Sequence, residues 1–456
     1  MAKHLSPDFI SRLHTQRTDA ETFLAAIDSM PFYSLRFNKR KLSVEPQSLF
    51  PVTEAVAWCD NAYYLDERPK YTLNPLFHAG VVYPQEASSM YVEHVMNCLK
   101  PALPQEPIVL DLCAAPGGKS TLLASWLDGK GVLVANEAVR SRAWILRENI
   151  AKWGYDNCIV TNCDPKHFGD EGAMYDVVLI DAPCSGEGMF RKDDVAVSEW
   201  SSENANLCAQ RQRRILMDVW DCIVEEGIVI YSTCTFNPAE NEENMLWLSE
   251  QTDLEFVDIP IPEGSGVEAI AIGNGLGHGY AFYPHKVKGE GFFICAMRKL
   301  TGRSRKKEKN KVKIKKASIP SGLLLSDDYT PILSDTDNKI VALPKECAPT
   351  MQNIMQRHNA LYAGIVVGEE TRKEFVPTPE LALSTSLNKE YFHNVELTET
   401  EALHYLHGSW QSETANLDKG WNIATFQGEP LGFVKAIGNR VNNYYPKEWR
   451  IRMNIE

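Results

Sequence analysis

Residues 108–120 read Ile-Val-Leu-Asp-Leu-Cys-Ala-Ala-Pro-Gly-Gly-Lys-Ser, an apolar run that passes into a glycine turn. The pattern predicts a buried strand, a tight loop and a helix that begins near Ser120. The paired glycines, Gly117 and Gly118, let the backbone approach a ligand closely. From here to about Arg298, strand-like runs alternate with amphipathic helical stretches. This alternation predicts an α/β fold with a doubly wound, mostly parallel sheet that binds ligands at its carboxyl edge.

Two known phosphate-binding loops do not match this turn. A P-loop needs glycine where Cys113 stands, and the dinucleotide fingerprint G-x-G-x-x-G is absent from the stretch. Acids follow the next two predicted strands, Glu137 after the second and Asp164 after the third. The first can accept hydrogen bonds from ribose hydroxyls, and the second can reach an adenine amino group. The ordered set, with an aspartate at the end of the first strand, predicts a site for S-adenosylmethionine.

Two cysteines stand just past later strands of the same domain. Cys184 lies in the run Asp-Ala-Pro-Cys-Ser-Gly that starts at Asp181, and Cys234 lies in Ser-Thr-Cys-Thr. Neighbouring strands lie roughly 5 Å apart, so adjacent strand ends would bring the two thiols together. A thiolate that adds to carbon 6 of cytosine makes carbon 5 nucleophilic towards a methyl sulfonium. The reaction also needs a polar group near N3 of the cytosine and a general base that removes the proton from carbon 5. Asp181, Cys184 and Cys234 have suitable chemical types for these three roles.

Chemistry alone does not assign the nucleophile. DNA cytosine methyltransferases attack with a cysteine that follows proline, which favours Cys184, so the order of the two roles stays open at this point. A lone cysteine at a strand end is usually a buried apolar residue. We expect that simpler role for Cys113, Cys158 and Cys222.

Composition sets the outer limits. The 456 residues, 44% hydrophobic, predict two to four domains. No stretch approaches the ~20 apolar residues of a membrane helix, and the polar N-terminus lacks a signal sequence. The eleven cysteines are scattered without a C-x-x-C pair, which argues for free thiols in a reducing compartment. We therefore expect a cytoplasmic protein with no membrane partner and no metal site.

Charge is unevenly distributed. The chain carries −13 overall, yet residues 298–316 hold eleven Lys or Arg and one acid, a net of +10. This segment is either a basic surface that binds phosphates or a solvated, extended linker. A smaller basic cluster, Arg36 with Lys39, Arg40 and Lys41, is either a solvated turn or an RNA contact.

The pattern divides the chain into five parts. We predict an N-terminal α+β domain at 1–75, the sheet domain at 76–298, the basic linker at 299–318, and C-terminal modules at 319–395 and 396–456. The last module interleaves basic and aromatic residues, which can pair with phosphates and stack on bases. These residues are Lys435, Arg440, Lys447, Arg450 and Arg452 beside Tyr444, Tyr445 and Trp449.

The chain resembles the RNA 5-methylcytosine methyltransferases of the Sun/Fmu type (RsmB/RsmF), whose members carry D-x-C-A-A-P-G-G-K, D-A-P-C-S-G and S-T-C-[ST]. Further matches are the runs at 83–89, 186–192 and 212–216. The resemblance is strong over about residues 30–300 and weaker at the C-terminus. It implies a seven-stranded Rossmann-like domain, S-adenosylmethionine as cofactor, and PUA-like RNA-binding modules. The implied partner is small-subunit (16S) ribosomal RNA or the small ribosomal subunit. Action on so large a particle requires no dimer, so we expect a monomer.

The resemblance also implies roles for individual residues. Cys234 would be the nucleophile, Cys184 would assist proton removal and product release, and Asp181 would contact cytosine. The implied cofactor-binding set is Cys113, Ala114, Ala115, Pro116, Gly117, Gly118, Lys119, Glu137, Arg142, Asp164 and Asp181. One departure from the family pattern is Glu226, where glycine is expected before Gly227, and it affects turn geometry alone.

Three alternatives accompany this hypothesis. The same chemistry could act on transfer RNA or DNA. A non-catalytic ribosome-assembly factor on the same fold would have lost a cysteine or damaged the glycine loop, and neither change is seen. An RNA-binding adaptor would depend on residues 298–316 for all its activity.

Overall fold

The computed structural model describes residues 4–41, 45–305, 315, 317–334, 337–411 and 417–455. The N-terminal region begins with helices α1 (Pro7–Gln16) and α2 (Ala20–Ile27). An antiparallel sheet follows, with strand order β2-β3-β1-β4. Its strands are β1 (Tyr33–Phe37), β2 (Val52–Ala55), β3 (Ala62–Leu65) and β4 (Val82–Pro84). Helix α3 (Pro75–His78) precedes β4, and α4 (Tyr91–Leu99) leads into the next domain.

A large mixed sheet forms the centre of the molecule. Its first strands are β5 (Ile108–Asp111), β6 (Val132–Asn136), β7 (Cys158–Thr161), β8 (Tyr175–Asp181) and β9 (Ile223–Thr233). Strands β10 (Leu254–Phe256), β11 (Glu268–Ile272), β12 (Gly277–Phe282) and β13 (Phe292–Lys299) complete this stretch of chain. The helices between them are α5 (Gly118–Leu127), α6 (Arg140–Trp153), α7 (Pro165–Glu171), α8 (Asp194–Glu199), α9 (Ser202–Val219) and α10 (Glu242–Gln251).

The strand order confirms the predicted fold class. Strands β7-β6-β5-β8-β9 are parallel neighbours, and β13 joins β9 in the antiparallel sense. The chain winds outward from β5 in one direction and then from β8 in the other. The carboxyl ends of β5 and β8 therefore flank the switch point where ligands bind in such folds. Residues of β5 and β6 are buried throughout, as expected for parallel strands covered by helices on both faces.

The C-terminal region contains two further four-stranded sheets. The first has the order β14-β15-β17-β18 and the second β19-β20-β21-β22. The elements of the first module are β14 (Tyr329–Leu333), β15 (Ile340–Pro344), α11 (Ala348–Arg357), β16 (Ala360–Ala363), β17 (Ile365–Glu370), β18 (Phe375–Pro377) and α12 (Pro379–Leu383). Those of the second are β19 (His393–Glu396), α13 (Glu399–His407), β20 (Gly420–Phe426), β21 (Glu429–Ile437) and β22 (Arg440–Asn443).

One strand of the first C-terminal module joins the central sheet. Strand β16 pairs with β7 in the antiparallel sense, which brings that sheet to ten strands among the described residues. The resemblance implied seven strands, and β10, β11 and β16 extend that core at its edges. Arg147 of α6 strengthens this junction, since its Nη2 donates to Glu380 Oε1 at 2.6 Å and its Nε donates to Leu361 O.

The predicted basic linker falls partly outside the described residues, which omit 306–314 and 316. Its first residues pack against the domain before it. Lys299 Nζ donates to Trp220 O at 2.9 Å and to Ile223 O at 3.1 Å, and Arg305 forms an ion pair with Asp176. Within the described ranges, no helix has the length and apolar character needed to cross a membrane.

Candidate active site

The glycine loop joins the end of β5 to the start of α5. Ala114 N donates to Asn136 O at 2.8 Å, which fixes the loop against the end of β6. Gly117 has φ +121° and immediately precedes α5, a conformation that favours glycine. A Cβ on Gly118 would lie 3.4 Å from the Tyr83 ring. The loop therefore packs closely against Tyr83.

A buried arginine forms hydrogen bonds to the residues at the end of this loop. Arg36 Nη2 donates to Gly118 O at 3.2 Å and to Thr121 Oγ1 at 2.6 Å, and its Nε donates to Gln85 Oε1. The expectation that Arg36 and Lys41 face solvent or RNA is wrong, because both are buried. Lys41 Nζ donates to backbone carbonyls of Ala79 and Lys152. The closely spaced basic residues suggested a cluster on the surface. The position of Arg36 between apolar residues of a strand indicated burial instead.

Two buried carboxyl groups stand at the ends of β5 and β6. Asp111 Oδ2 accepts from Ser120 Oγ at 2.6 Å, and its Oδ1 has no hydrogen-bond partner among the described residues. Burial raises the pKa of Asp111 to about 7. Glu137 Oε1 accepts from Val139 N at 2.9 Å. Its Oε2 is also buried without a hydrogen bond in the described structure, although Arg142 Nη1 lies 3.3 Å away.

The other predicted cofactor residues lie around these acids. Arg142 Nη2 donates to Ala115 O at 2.8 Å and so connects α6 to the loop. Burial raises the pKa of Cys113 well above its usual value. Asp164 is exposed beyond β7, where its Oδ1 accepts from Lys166 N and caps α7. A helix-capping role accounts for its observed contacts.

Sequence reasoning missed two asparagines at this edge. Asn136 Nδ2 donates to Leu112 O and Cys163 O, so it ties together the segments that follow three strands. Asn149 Nδ2 donates to Pro116 O at 2.8 Å from α6. Their positions on a predicted strand end and helix gave no distinguishing signal.

The chemistry of these groups fits S-adenosylmethionine. That molecule presents an ammonium group and two ribose hydroxyls, all hydrogen-bond donors. Asp111 Oδ1 and Glu137 Oε2 are buried acceptors that lack a hydrogen bond within the described residues. A buried carboxylate oxygen without a hydrogen bond is costly, and a ligand rich in donors would supply one to Asp111 and add one to Glu137 beside its ion pair with Arg142.

A lysine and an aspartate face each other beside the loop. Asp181 ends β8, where its Oδ2 lies 2.8 Å from Lys119 Nζ and its Oδ1 accepts from Ser232 Oγ. Burial disfavours the ammonium of Lys119, but the Asp181 carboxylate outweighs it, and the pKa of Lys119 lies above its usual value. Lys119 Nζ also lies 5.1 Å from the centre of the Phe292 ring. The pair therefore provides adjacent opposite charges at the sheet edge.

The two predicted thiols meet next to this pair. Cys184 Sγ and Cys234 Sγ lie 3.0 Å apart, both half-buried and both free. Gly188 N donates to Cys234 O at 2.9 Å, and a Cβ on Gly188 would lie 2.9 Å from the same oxygen, so the two loops touch directly. The hydrogen bond with Cys234 raises the pKa of Cys184, and burial raises it further. Of the cysteines expected to be simple core residues, Cys158 and Cys222 are fully buried, and Cys113 is half-buried.

The doubly wound sheet and the acid-lined glycine loop define an S-adenosylmethionine-dependent methyltransferase. A family model described as 16S rRNA methyltransferase RsmB/F matches residues 96–298. A model of the N-terminal domain of 16S rRNA methyltransferase RsmF matches 5–87, and one of the RsmF PUA domain matches 392–451.

Curated proteins and solved structures agree with this class. Ribosomal RNA small subunit methyltransferase F of Shigella boydii serotype 4 is 31% identical over 457 residues, which cover 94% of this chain and 92% of that protein. The protein of the same name from Photobacterium profundum is 29% identical over 97% of this chain and 95% of its own. The chain belongs to the 16S rRNA methyltransferase RsmB/F family.

Two solved structures share the central fold. A methyltransferase homologue from Pyrococcus horikoshii has a TM-score of 0.53 and 27% identity, and the match covers 65% of this chain and 100% of that one. NSun6 from the same organism, solved with the S-adenosylmethionine analogue SFG, has a TM-score of 0.53 and 21% identity, covering 64% of this chain and 97% of that one. The second likeness shows the fold alone.

Proposed function

We propose that this protein forms 5-methylcytosine in 16S ribosomal RNA, with Cys234 as the nucleophile. The observation that carries the proposal is the 3.0 Å contact between Cys184 and Cys234 beside the Lys119–Asp181 pair. A methyltransferase of exocyclic amines needs no thiol, whereas carbon 5 of cytosine needs covalent activation. The family and the curated relatives, which are named as methyltransferases of small-subunit ribosomal RNA, support this substrate.

The first step is the addition of the Cys234 thiolate to carbon 6 of a cytosine that has left its stack. A C–S bond forms, and the electron pair of the 5,6 double bond moves into the ring. The Lys119–Asp181 ion pair supports a role for these residues in binding the base and offsetting developing charge. When bound, S-adenosylmethionine supplies a methyl group on a sulfonium sulfur.

Cys184 acts in the release step. Before the reaction, the hydrogen bond with Cys234 raises the pKa of Cys184 and burial raises it further, which favours the protonated form of Cys184. Once Cys234 is bonded to carbon, that sulfur carries no charge and the pKa of Cys184 falls. Cys184 can then lose its proton to solvent and accept the proton from carbon 5. The electron pair returns to the ring, the C–S bond breaks and the Cys234 thiolate leaves.

The C-terminal module would hold the RNA. Tyr444, Arg440, Lys447 and Arg452 are exposed, whereas Tyr445 and Trp449 belong to the core. Lys435 is committed to an ion pair with Glu374 and lies over the Trp421 ring. The exposed members of the basic and aromatic tail form a surface suited to phosphates and bases. One chain supplies both thiols and the glycine loop, so a monomer suffices for the reaction. We propose that it acts in the cytoplasm.

A covalent-adduct assay tests this function. Wild type, Cys184→Ala, Cys234→Ala and the double variant would be mixed with unmethylated 16S RNA and S-adenosylmethionine, then separated on a denaturing gel. We expect a slow protein–RNA band from Cys184→Ala that disappears in the double variant. Cys98→Ala, at a half-buried cysteine outside the site, is the matched control and should methylate normally.

Each alternative has its own signature in that assay. A band from Cys234→Ala alone would reverse the two roles. Methyl transfer to transfer RNA or DNA, with none to 16S RNA, would show that the substrate is one of those two nucleic acids. No band and no methyl transfer by wild type would favour a non-catalytic assembly factor.

A further inference from the structure

A buried glutamate stands behind the thiol pair. Glu240 ends the short 3₁₀ turn Pro238–Glu240 that follows β9, and its exposed fraction is 0%. Its Oε1 accepts from Ser185 N at 2.8 Å and from Gln212 Nε2 at 3.0 Å. Its Oε2 accepts from the hydroxyls of Ser185 and, at 3.3 Å, Thr235. Both carboxylate oxygens are therefore fully used.

The partners of this carboxylate sit beside the two reactive sulfurs. Ser185 directly follows Cys184, and Thr235 directly follows Cys234. Their hydroxyl oxygens lie 2.9 Å apart. Gln212 of α9 also donates to Pro183 O at 3.0 Å, on the other side of Cys184. A single side chain thus joins two loops that are fifty residues apart in sequence.

The burial of Glu240 argues for a specific purpose. Burial raises the pKa of its carboxyl group, while the hydrogen bonds from Ser185 oppose that change. A carboxyl group taken out of water is costly unless its oxygens are satisfied, and apolar packing could fill the same space without that cost. Apolar packing, however, lacks the directional bonds that fix the relative position of two loops.

We propose that Glu240 is a positioning residue that sets the distance and orientation of the Cys184 and Cys234 sulfurs. The expected effect on turnover rests on the proposed function. The effect on the positions of the two sulfurs rests only on the hydrogen bonds of Glu240. Because sulfur-to-carbon attack needs close and aligned atoms, a small displacement of either loop would lower turnover steeply.

The test measures sulfur proximity separately from activity. Each full-length variant would be treated with a thiol oxidant such as diamide, which removes two electrons as the two thiols lose their protons and form a disulfide. Mass spectrometry of the linked peptides gives the rate of joining Cys184 to Cys234. Methyl transfer gives kcat and KM, and equilibrium binding gives the affinity for S-adenosylmethionine.

Glu240→Ala should lower the linking rate and kcat at least tenfold each, with KM and cofactor affinity within threefold of wild type. Glu240→Gln keeps an acceptor for Ser185 N and Gln212 and a polar group for the two hydroxyls, so both rates should stay within threefold. Glu240→Asp retains the carboxyl group but withdraws it by one methylene, and it should behave like alanine. Glu243→Ala, at an exposed acid on α10, is the matched control.

Several outcomes separate the two proposals. Wild-type linking rates in both Glu240→Ala and Glu240→Asp would overturn the positioning role. If Glu240→Ala does not fold, Glu240→Asp decides alone. A slower linking rate with unchanged kcat would leave the positioning intact and overturn the catalytic roles of the cysteines.

Discussion

Lys119 Nζ lies 2.8 Å from Asp181 Oδ2, which joins the first turn of α5 to the carboxyl end of β8. Lys119 directly follows the glycine loop, and Asp181 begins the segment that carries Cys184. The pair therefore couples the two halves of the site at the switch point of the sheet. Ser232 Oγ holds the second oxygen of Asp181, so the carboxylate has a fixed orientation.

Removal of the lysine charge should abolish most activity. Lys119→Met leaves the Asp181 carboxylate without its cation and disturbs the group that we propose contacts the base. We expect kcat to fall by about 100-fold, in the range seen when a single electrostatic contact to a reacting group is removed. Transfer of labelled methyl groups to 16S RNA measures it. Lys130→Met, at an exposed lysine, is the control, and a Lys119→Met kcat within threefold of wild type would contradict this role.

An exposed tyrosine should contribute to RNA affinity. Tyr444 is 38% exposed and packs edge-on against Trp421 at a ring distance of 4.5 Å. Loss of one stacked base costs about 1–3 kcal/mol, so Tyr444→Ala should weaken RNA binding by roughly 5- to 150-fold. Fluorescence anisotropy with labelled RNA measures the change, while kcat at saturating RNA stays constant. Tyr391→Ala, at a tyrosine 42% exposed, should bind normally, and equal losses in both variants would argue against a specific contact.

A histidine at the junction of α11 and α7 should make stability depend on pH. His358 Nε2 lies 3.2 Å from Glu171 Oε2, and the ring stacks on Phe168 at 4.3 Å. Burial opposes its charge, but the Cys163 sulfur and the Glu171 carboxylate outweigh it and raise the pKa of His358 to about 9. A raised pKa stabilises the fold fully below the unfolded value of about 6.5, and the contribution is lost as pH rises through about 9.

Urea unfolding of wild type and His358→Gln tests this. The difference in unfolding free energy should be on the order of 1–3 kcal/mol at pH 6 and should shrink by pH 10. His4→Gln, at an exposed histidine, is the control. A difference that does not vary with pH would show that packing on Phe168, and not charge, is what the histidine contributes.

The departure at Glu226 should carry a small cost in stability. Glu226 has φ +63°, a left-handed conformation that disfavours residues with a Cβ. Glu226→Gly should raise the unfolding free energy by about 0.5–1 kcal/mol, since relief of strain exceeds the added freedom of the unfolded chain. Chemical denaturation measures it. The ion pair with Arg298 at 3.7 Å is exposed and contributes little, so Glu226→Ala, which keeps the strain, should not be stabilised.

Much of the central domain follows from local pattern. The strand predicted at the start of 108–120 is β5, and the helix predicted to begin near Ser120 is α5, which begins two residues earlier at Gly118. After β9, by contrast, Asn237 caps a 3₁₀ turn, Pro238–Glu240, and α10 begins only at Glu242. That turn is what presents Glu240 to the thiol loops, and hydrophobic periodicity carries no information about it.

The sequence by itself determined the order of strands and helices, the glycine loop, and the two cysteine motifs, because each depends on neighbouring residues and on backbone preferences. The tertiary structure decided that β8 pairs with β9, which brings the two predicted thiols to 3.0 Å from each other, that Arg36 is buried beneath Gly118, that β16 pairs with β7, and that Glu240 lies behind the sulfurs. These contacts join segments far apart in the chain. Their partners are selected by the packing of whole strands and helices, and that selection leaves no periodic trace in any single segment.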